Sequence, residues 1–211
     1  MPKRFFVTGT DTGIGKTVVS ALLCAALDAI YWKPIQTGSS EGTDRRTVLE
    51  VGELPERQTR LEVYCFSPPV SPHLAARRAG VSISISKIAS ALPTIRGNLI
   101  VEGAGGVLVP VTGSGLMVDL MGKLRLPVLL VARTSLGTIN HTLLSLAALR
   151  ARALEVRGVI LVGKPDRENC KAIQKYGQVR VIGAIPVLDK INRGVLLDVF
   201  RKHFQRRFFG A

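Results

Sequence analysis

The sequence is poor in acidic residues and in aromatic residues. It has 211 residues, of which 15 are aspartate or glutamate and 29 are lysine or arginine, so its formal net charge at pH 7 is +14. A strongly basic surface can serve a nucleic acid or an anionic membrane. The basic residues are spread along the chain, however, and the aromatic residues (seven Phe, three Tyr and one Trp) form no basic motif interleaved with aromatics. We therefore interpret the charge as a solvated surface that attracts polyanionic small molecules, and we expect no nucleic-acid or membrane partner.

The sequence also has little cysteine and no long apolar run. Cys24, Cys65 and Cys170 are odd in number and scattered without metal-ligand spacing, which is typical of reduced thiols. No apolar run reaches the roughly 18 residues that a membrane span requires. Residues 1–4 lead directly into an apolar strand, so we expect no signal peptide. Together these features predict a cytoplasmic protein.

What the chain does have, close to its N-terminus, is a glycine-rich segment between a predicted strand (residues 5–7) and a predicted helix. The segment ends in Gly-Lys-Thr at residues 15–17, and this strand–loop–helix order predicts a phosphate-binding P-loop. Glycines let backbone N–H groups point at anionic oxygens, and the helix start adds its positive dipole end. We expect Lys16 to reach the β- and γ-phosphates and the Thr17 hydroxyl to bind Mg²⁺. Five residues rather than four separate Gly9 from Gly15, and the alternative is a glycine-rich turn without a ligand.

Lys33 is a candidate catalytic residue. It follows the short apolar strand at residues 30–32, and Pro34 then stops the strand. This position places Lys33 at the carboxyl end of a strand, where open α/β sheets bind ligands. The structural alternative is a buried lysine in a salt bridge, but the neighbouring P-loop favours a functional role.

Two carboxylates are candidate Mg²⁺ ligands. Glu102 ends the apolar strand at residues 98–101 and precedes a second glycine-rich turn, which is where P-loop enzymes hold Mg²⁺ directly or through water. Asp44 follows a polar loop and stands at the start of a predicted helix over residues 45–51. It could be the N-cap of that helix, with Thr43 as the other candidate, or it could lie near Mg²⁺. The residues leave these two interpretations of Asp44 open.

Predicted strands alternate with predicted helices along the whole chain. The strands are expected over residues 5–7, 30–32, 98–101, 127–132, 158–162 and 181–185. The helices are expected over residues 18–29, 45–51, 72–79, 82–91, 117–124, 168–176 and 195–204, with a further long helix that ends near Arg152. Prolines mark residues 64–74 as an irregular connection. The alternation predicts a single doubly wound α/β domain over residues 1–211, P-loop NTPase-like, with a mostly parallel sheet and helices on both faces.

In combination, the motifs resemble those of dethiobiotin synthetases, the ATP-dependent carboxylases of biotin biosynthesis. The matching stretches are VTGTDT and GKT (residues 7–17), KPIQTG (33–38), SPH (71–73), VEGAGG (101–106), LGTINH (136–141) and GAIP (183–186). They run in the family's order across nearly the whole chain. The longer spacing between Gly9 and Gly15 is also the spacing that this family uses.

The resemblance implies a reaction in three steps. 7,8-Diaminopelargonic acid and CO₂ (or bicarbonate) form a carbamate, whose oxygen attacks the γ-phosphate of ATP. The product is a mixed carbamic–phosphoric anhydride. The second amine then closes the ureido ring and releases phosphate, with ADP as the other product. The resemblance further implies Mg²⁺, ATP as co-substrate, and a homodimer with its sites at the subunit interface.

The resemblance also implies roles for particular residues. Lys33 and Lys16 would be catalytic, because they neutralise the negative charges of the carbamate and the phosphoryl group and hold them in line. Mg²⁺ would be held by Thr17, Asp44 and Glu102. The implied nucleotide contacts are Gly13, Ile14, Gly15, Lys16, Thr17, Val18, Asp44, Glu102, Gly103, Ala104, Gly105, Pro186, Val187 and Leu188. The implied diamine contacts are Thr12 and Thr37, with Gly137, Thr138 and Asn140 of the neighbouring subunit binding the substrate's carboxylate at the start of a helix.

The chain departs from the family pattern at two positions of the expected site. Gly13 stands where some members carry a glutamate next to the phosphates. Gly163 and Lys164 stand where members place an asparagine that reads adenine. We therefore expect base discrimination to be weak or to rest on backbone groups near residues 186–188.

Two other classes of P-loop protein are weighed against this interpretation. A partition-type ATPase that acts on DNA or a membrane would fit the charge of +14, but the loop lacks a second lysine near its start, where Thr10, Asp11 and Thr12 stand. Ligases of the cobyrinate type usually carry an appended glutaminase domain, for which this chain is too short.

Overall fold

The computed structural model describes residues 2–209, and in this range each predicted strand and helix has a counterpart. The strands are β1 (Arg4–Gly9), β2 (Ile30–Trp32), β3 (Ile35–Thr37), β4 (Thr59–Arg60), β5 (Tyr64–Phe66), β6 (Leu99–Glu102), β7 (Val128–Arg133), β8 (Val156–Val162) and β9 (Val181–Ile185). The helices are α1 (Lys16–Leu27), α2 (Asp44–Gly52), α3 (Pro72–Arg78), α4 (Ile85–Ser90), α5 (Met117–Leu124), α6 (Thr138–Ala151), α7 (Arg167–Gly177) and α8 (Arg193–His203).

Seven of the strands form one sheet in the order β4-β2-β6-β1-β7-β8-β9. Every pairing in it is parallel, and β1 lies between β6 and β7, with Phe6 opposite both Val101 and Val128. From β1 the chain runs to β2 and to β4 at one edge, returns to insert β6 between β2 and β1, and then builds β7, β8 and β9 outward on the other side of β1. The carboxyl end of β1 is therefore a topological switch point, where doubly wound sheets form their binding crevice.

Helices cover both faces of this sheet, so a hydrophobic core lies on each face. Alternate residues of β1 belong to the two cores. Phe6 belongs to the core under α3 to α7, whereas Phe5 and Val7 belong to the core under α1, α2 and α8. Successive side chains of a strand point to opposite faces, so the apolar run Phe5, Phe6 and Val7 of β1 is buried on both faces of the sheet, as expected for a central parallel strand. The predicted fold class, a doubly wound α/β architecture with a parallel sheet, is confirmed.

Three short strands were not predicted from the sequence. The prediction that residues 64–74 form an irregular connection is wrong at its start, because β5 pairs in parallel with β3 in a separate two-stranded sheet. Neither β3 nor the two-residue β4 was predicted. Each of these strands has two or three residues, too few to show a period of two, and prolines at 34 and 68 stand beside them. Their pairing depends on long-range contacts that no local pattern reports.

Candidate active site

The predicted phosphate loop occupies residues 10–15 between β1 and α1, at the carboxyl end of the central strand. Gly13 and Gly15 both have positive φ, at 69° and 94°, a conformation that residues with a Cβ rarely adopt. Ile14 between them is buried, which ties the loop to the core, and Val18 is half-buried in the first turn of α1. The chain thus turns sharply enough for α1 to begin at Lys16 with its N-terminal N–H groups facing the loop.

Lys16 is buried and folds back across this loop. Its Nζ donates a hydrogen bond to the carbonyl oxygen of Asp11 at 2.8 Å. Burial lowers the pKa of Lys16 to about 8, and the positive charge of Lys33 acts in the same direction, while the negative charge of Glu102 opposes the shift. Lys16 therefore binds its proton less tightly than an ordinary lysine does, and an anion bound nearby would stabilise its positive charge.

Four predicted site residues converge next to Lys16 from four different elements. The Thr17 hydroxyl of α1 donates to a carboxylate oxygen of Asp44 and lies 3.1 Å from Oε1 of Glu102. Lys33, directly after β2, forms an ion pair with Asp44, and its Nζ lies 3.7 Å from Oε1 of Glu102. Lys33 and Glu102 are buried. The structure therefore brings together the four side chains that the sequence analysis singled out around the loop.

The position of Asp44 resolves the alternative that the sequence left open. The N-cap of α2 is Thr43, whose Oγ1 accepts a hydrogen bond from the backbone N–H of Arg46 at 3.3 Å. Asp44 is the first residue of the helix, and its carboxylate is directed at Thr17 and Lys33. Its side chain is therefore free of a capping role and belongs to the polar cluster.

The charges of the cluster stabilise one another. Burial opposes the charge of Lys33, but the carboxylates of Glu102 and Asp44 outweigh it and raise the pKa of this lysine. Burial likewise acts to raise the pKa of Asp44, but the Lys33 ammonium outweighs it and the net shift is downward. Both partners are therefore charged at neutral pH. Lys33 is held as a fixed positive charge and is a poor general base.

The oxygens of the cluster fit Mg²⁺. In the part of the chain that the structure describes, no three His, Cys, Asp or Glu side chains group together as a protein-only metal site. Mg²⁺ in phosphate-transfer sites usually takes only one or two carboxylates and completes its shell with water and substrate phosphates. One hydroxyl (Thr17) and two carboxylates (Asp44 and Glu102) at the edge of a phosphate loop match this pattern of donors.

Tyr31 and Gln36 join the cluster and were missed by the sequence analysis. The hydroxyl of Tyr31 donates to Oε2 of Glu102 at 3.1 Å, and Oε1 of Gln36 accepts from the backbone N–H of Asp44 at 3.2 Å. Burial and then the charge of Glu102 raise the pKa of Tyr31 well above its usual value, so it stays a donor. The sequence does contain a signal for Tyr31, because the alternation of side chains along a strand places it on the same face as Lys33, two residues later. No comparable signal marks Gln36.

A cavity of about 330 Å³ brings together four more of the predicted residues: Thr12, Thr37, Ala104 and Gly105. The rest of its lining is Gly38, Glu41, Pro69, Val70, Ser71, Pro72 and Val109. Its volume lies at the lower end of the range for small-molecule sites. Gly103 precedes this wall and packs so closely that a Cβ on it would stand 2.9 Å from the Phe6 ring.

A second cavity of about 590 Å³ lies at the carboxyl ends of β7 and β8, lined by Arg133, Thr134, Ser135, Val162, Gly163, Lys164, Pro165 and Asp166. The Asn169 side-chain amide lies beside it, where the sequence analysis found no amide, but it already donates to Asp166 at 2.9 Å and to the Thr134 carbonyl at 3.3 Å. The predicted contacts Pro186, Val187 and Leu188 follow β9, whose Ile185 carbonyl accepts from Gly163 at 2.9 Å. They do not line the cavity.

The predicted carboxylate-binding turn lies apart from the cavity that contains Thr12 and Thr37. Gly137, with φ of 90°, is the N-cap of α6, and Thr138 donates its hydroxyl to the Arg133 carbonyl at the end of β7. Asn140 is exposed. None of these three residues lines the cavity. Within one chain, therefore, the structure does not assemble the full set of predicted substrate contacts.

Comparison with known proteins identifies the family. Residues 3–194 match a family model described as an AAA domain. An ATP-dependent dethiobiotin synthetase of Rhodopseudomonas palustris (strain HaA2) is 48% identical over 204 residues, which cover 97% of this chain and 95% of the relative. The corresponding synthetase of Agrobacterium fabrum (strain C58) is 47% identical with the same coverage. The chain belongs to the ATP-dependent dethiobiotin synthetase family. The resemblance seen in the motifs is thereby confirmed, together with the predicted enzyme class, a ligase that forms C–N bonds.

Solved structures with low sequence identity share the fold of this dethiobiotin synthetase family member. A ParA family ATPase of Chlorobium tepidum matches with a TM-score of 0.57 at 13% identity, over 95% of this chain and 93% of its own. The MinC:MinD complex of Aquifex aeolicus contains a chain that matches with a TM-score of 0.58 at 14% identity, over 99% and 96%. At such identities the likeness shows the fold alone. Within residues 2–209, no helix combines the length and the apolar character needed to cross a membrane.

Proposed function

We propose that this protein converts 7,8-diaminopelargonic acid and CO₂ to dethiobiotin in the cytoplasm, using ATP and Mg²⁺ and releasing ADP and phosphate. The observation that carries the proposal is the position of Lys33. It is a buried, charged lysine at the end of β2, paired with both carboxylates and adjacent to the Thr17 hydroxyl of the phosphate loop. The family relationship over nearly the whole chain supports the same assignment.

The charge of the site fits the proposed intermediates. A carbamate and the γ-phosphate of ATP are both anionic and repel each other, so their approach requires fixed positive charge. Lys16 supplies it from the start of α1, directly after the phosphate loop, and Lys33 supplies it from the end of β2. The raised pKa of Lys33 keeps it protonated. It would therefore stabilise the carbamate oxygen and the carbamic–phosphoric anhydride electrostatically.

Mg²⁺, when bound by Thr17, Asp44 and Glu102, would supply further positive charge to the phosphate oxygens. The protein's own part is to hold these oxygens at one point. Tyr31 and Lys33 each contact one oxygen of Glu102, and Gln36 and Lys33 fix Asp44. Two carboxylates held in this way cannot rotate freely, so the ion and the phosphate chain would be bound in one orientation.

A homodimer with shared sites is part of this proposal. Leu108 and Leu144 are large, exposed apolar residues that line one surface depression beside the phosphate loop, and Leu136 is fully exposed at the turn before α6. Exposed apolar residues grouped in this way are typical of protein–protein contacts. The turn that carries Gly137, Thr138 and Asn140 lies on this side of the chain, and a second subunit would bring its own copy to the cavity.

A partition-type ATPase is the alternative function, supported by the fold of ParA and MinD and by the charge of +14. Phosphate release separates the two. Purified protein with ATP, Mg²⁺ and bicarbonate is expected to release phosphate only after the diamine is added. A rate of ATP hydrolysis that does not depend on the diamine but increases with DNA or lipid vesicles would overturn the synthetase assignment.

A further inference from the structure

The cavity that contains Thr12 and Thr37 has one ionisable side chain among its lining residues, that of Glu41. The other polar side chains are the hydroxyls of Thr12, Thr37 and Ser71, and the remaining wall is formed by prolines, glycines, alanine and valines. A cavity with a single negative charge selects ligands with a complementary positive charge. Nothing in the sequence analysis assigned a role to Glu41.

Hydrogen bonds fix the backbone of the turn that carries Glu41. Residues Ser39–Glu41 form one turn of 3-10 helix directly after β3. The turn is hydrogen-bonded to the segment just before Pro69 and Val70 of the cavity wall, because Gly38 N–H donates to the Pro68 carbonyl at 2.9 Å and Ser40 Oγ to the Ser67 carbonyl at 3.0 Å. The N–H of Glu41 itself donates to the Gly38 carbonyl at 3.1 Å. The turn is therefore a fixed part of the cavity wall.

The carboxylate of Glu41 also has no ion-pair partner within residues 2–209, although basic residues outnumber acidic ones by 29 to 15. Its neighbour Asp44 is paired with Lys33, as is Glu102. Glu41 is exposed, so an entering ligand can reach it directly from solvent. The charge is thus available to a ligand of the cavity and is not used by the fold.

We propose that Glu41 binds an ammonium group of the substrate and selects molecules that carry an amine. This inference rests on the proposed function, in which the substrate has two primary amines. At neutral pH a vicinal diamine carries about one proton, because the first ammonium disfavours protonation of its neighbour; the charged amine finds its strongest hydrogen-bonding partner in a carboxylate, and the neutral amine stays free to react with CO₂. The apolar wall formed by Pro69, Val70 and Val109 would pack against the carbon chain.

Calorimetric titration of 7,8-diaminopelargonic acid tests the proposal, with the Glu41→Gln variant as the main comparison. We expect this variant to bind the diamine at least about tenfold more weakly than the wild type, since charged hydrogen bonds are the strong ones. Nonanoic acid, which has the chain without the amines, is expected to bind both proteins equally. Glu53→Gln is the matched control, because Glu53 is also exposed and has no ion pair among the described residues. It is expected to behave as the wild type.

Steady-state kinetics supply a second readout that a structural defect would not mimic. In Glu41→Gln the KM for the diamine is expected to rise about tenfold while the KM for ATP stays unchanged. Equal diamine affinity and equal KM in Glu41→Gln and the wild type would overturn the role of Glu41 and leave the proposed function standing. A wild-type protein that neither binds the diamine nor releases phosphate with it would overturn the proposed function and this inference together.

Discussion

At the scale of single residues, the candidate site depends on one buried lysine, Lys33, which pairs with two carboxylates. Replacing Lys33 by alanine is expected to lower diamine-dependent turnover by about 10²–10³-fold, because a fixed positive charge at the reacting oxygens is lost. Nucleotide affinity should change little, since Lys16 and the loop remain. Phosphate release and nucleotide titration measure the two effects. Lys171→Ala is the control, because Lys171 is exposed and paired only with Glu168; unchanged turnover in Lys33→Ala would remove this lysine from catalysis.

The Lys33→Ala substitution is also expected to lower the free energy of unfolding. Without Lys33, Asp44 and Glu102 lose their common counter-charge in a buried setting. Breaking a buried pair in this way typically costs about 3–5 kcal/mol. The kinetic assay therefore needs a temperature at which the variant is folded, as checked by circular dichroism.

Tyr31→Phe tests the residue that the sequence analysis missed. The variant removes the hydroxyl that donates to Glu102 and keeps the packing of the ring. We expect it to lower the free energy of unfolding by about 1–3 kcal/mol, because a buried carboxylate oxygen loses its donor. The Mg²⁺ concentration for half-maximal activity should rise about tenfold. Urea unfolding and Mg²⁺ titration are the measurements, and the exposed Tyr176 gives the control variant Tyr176→Phe. Identical curves for both variants would contradict the positioning role.

The lowered pKa of Lys16 predicts that nucleotide binding depends on pH. Burial lowers its pKa to about 8 in the free protein, and a bound phosphate raises that pKa because it favours the charged form. Binding should therefore take up about half a proton at pH 8 and almost none below pH 7, and affinity should fall as pH rises through 8. Calorimetry in buffers of different ionisation enthalpy, without Mg²⁺, measures the uptake. A Lys16→Met variant should lose it, and equal uptake in both proteins would contradict the assignment.

At the scale of secondary-structure elements, the phosphate loop depends on Gly15. Its φ is 94°, and a Cβ there would stand 3.0 Å from Val162 of β8. Gly15→Ala is expected to cost about 1–3 kcal/mol of unfolding free energy and to weaken nucleotide binding. Gly97→Ala is the matched control, since a Cβ at Gly97 meets no atom within 4 Å. Denaturant unfolding and nucleotide titration compare the two, and equal affinities would show that the loop tolerates a side chain.

The long elements could be predicted from local pattern and the short ones could not. α5 was predicted with the bounds Met117–Leu124 that it has, and β9 with Val181–Ile185. Each has enough residues for a period to show. β3 and β5 have three residues each and exist because they pair with one another 29 positions apart, Ile35 opposite Tyr64. Such a pairing is a property of the assembled chain.

At the scale of the whole molecule, the exposed leucines predict a subunit contact. Leu144→Asp is expected to shift a wild-type dimer toward monomer and to lower diamine turnover in proportion, because a charge would be buried at the contact. Light scattering with size-exclusion chromatography at several concentrations measures the assembly. Leu61→Asp is the control, because Leu61 is equally apolar and exposed but follows β4 at the edge of the sheet. A wild-type monomer at all concentrations would contradict the dimer.

Local sequence is enough to predict the phosphate loop and to place Lys33 and Glu102 near it. The loop is local, because strand, glycines and helix follow one another directly, and the carboxyl ends of parallel strands necessarily meet at one edge of a sheet. The contacts of the other site side chains depend on how the chain folds as a whole. Asp44 faces Thr17 while Thr43 caps the helix, and Tyr31 of β2 donates to Glu102 of the neighbouring β6. Glu41 lines the cavity from a turn that is hydrogen-bonded to residues 67 and 68. These contacts join distant parts of the chain, and no local pattern encodes them.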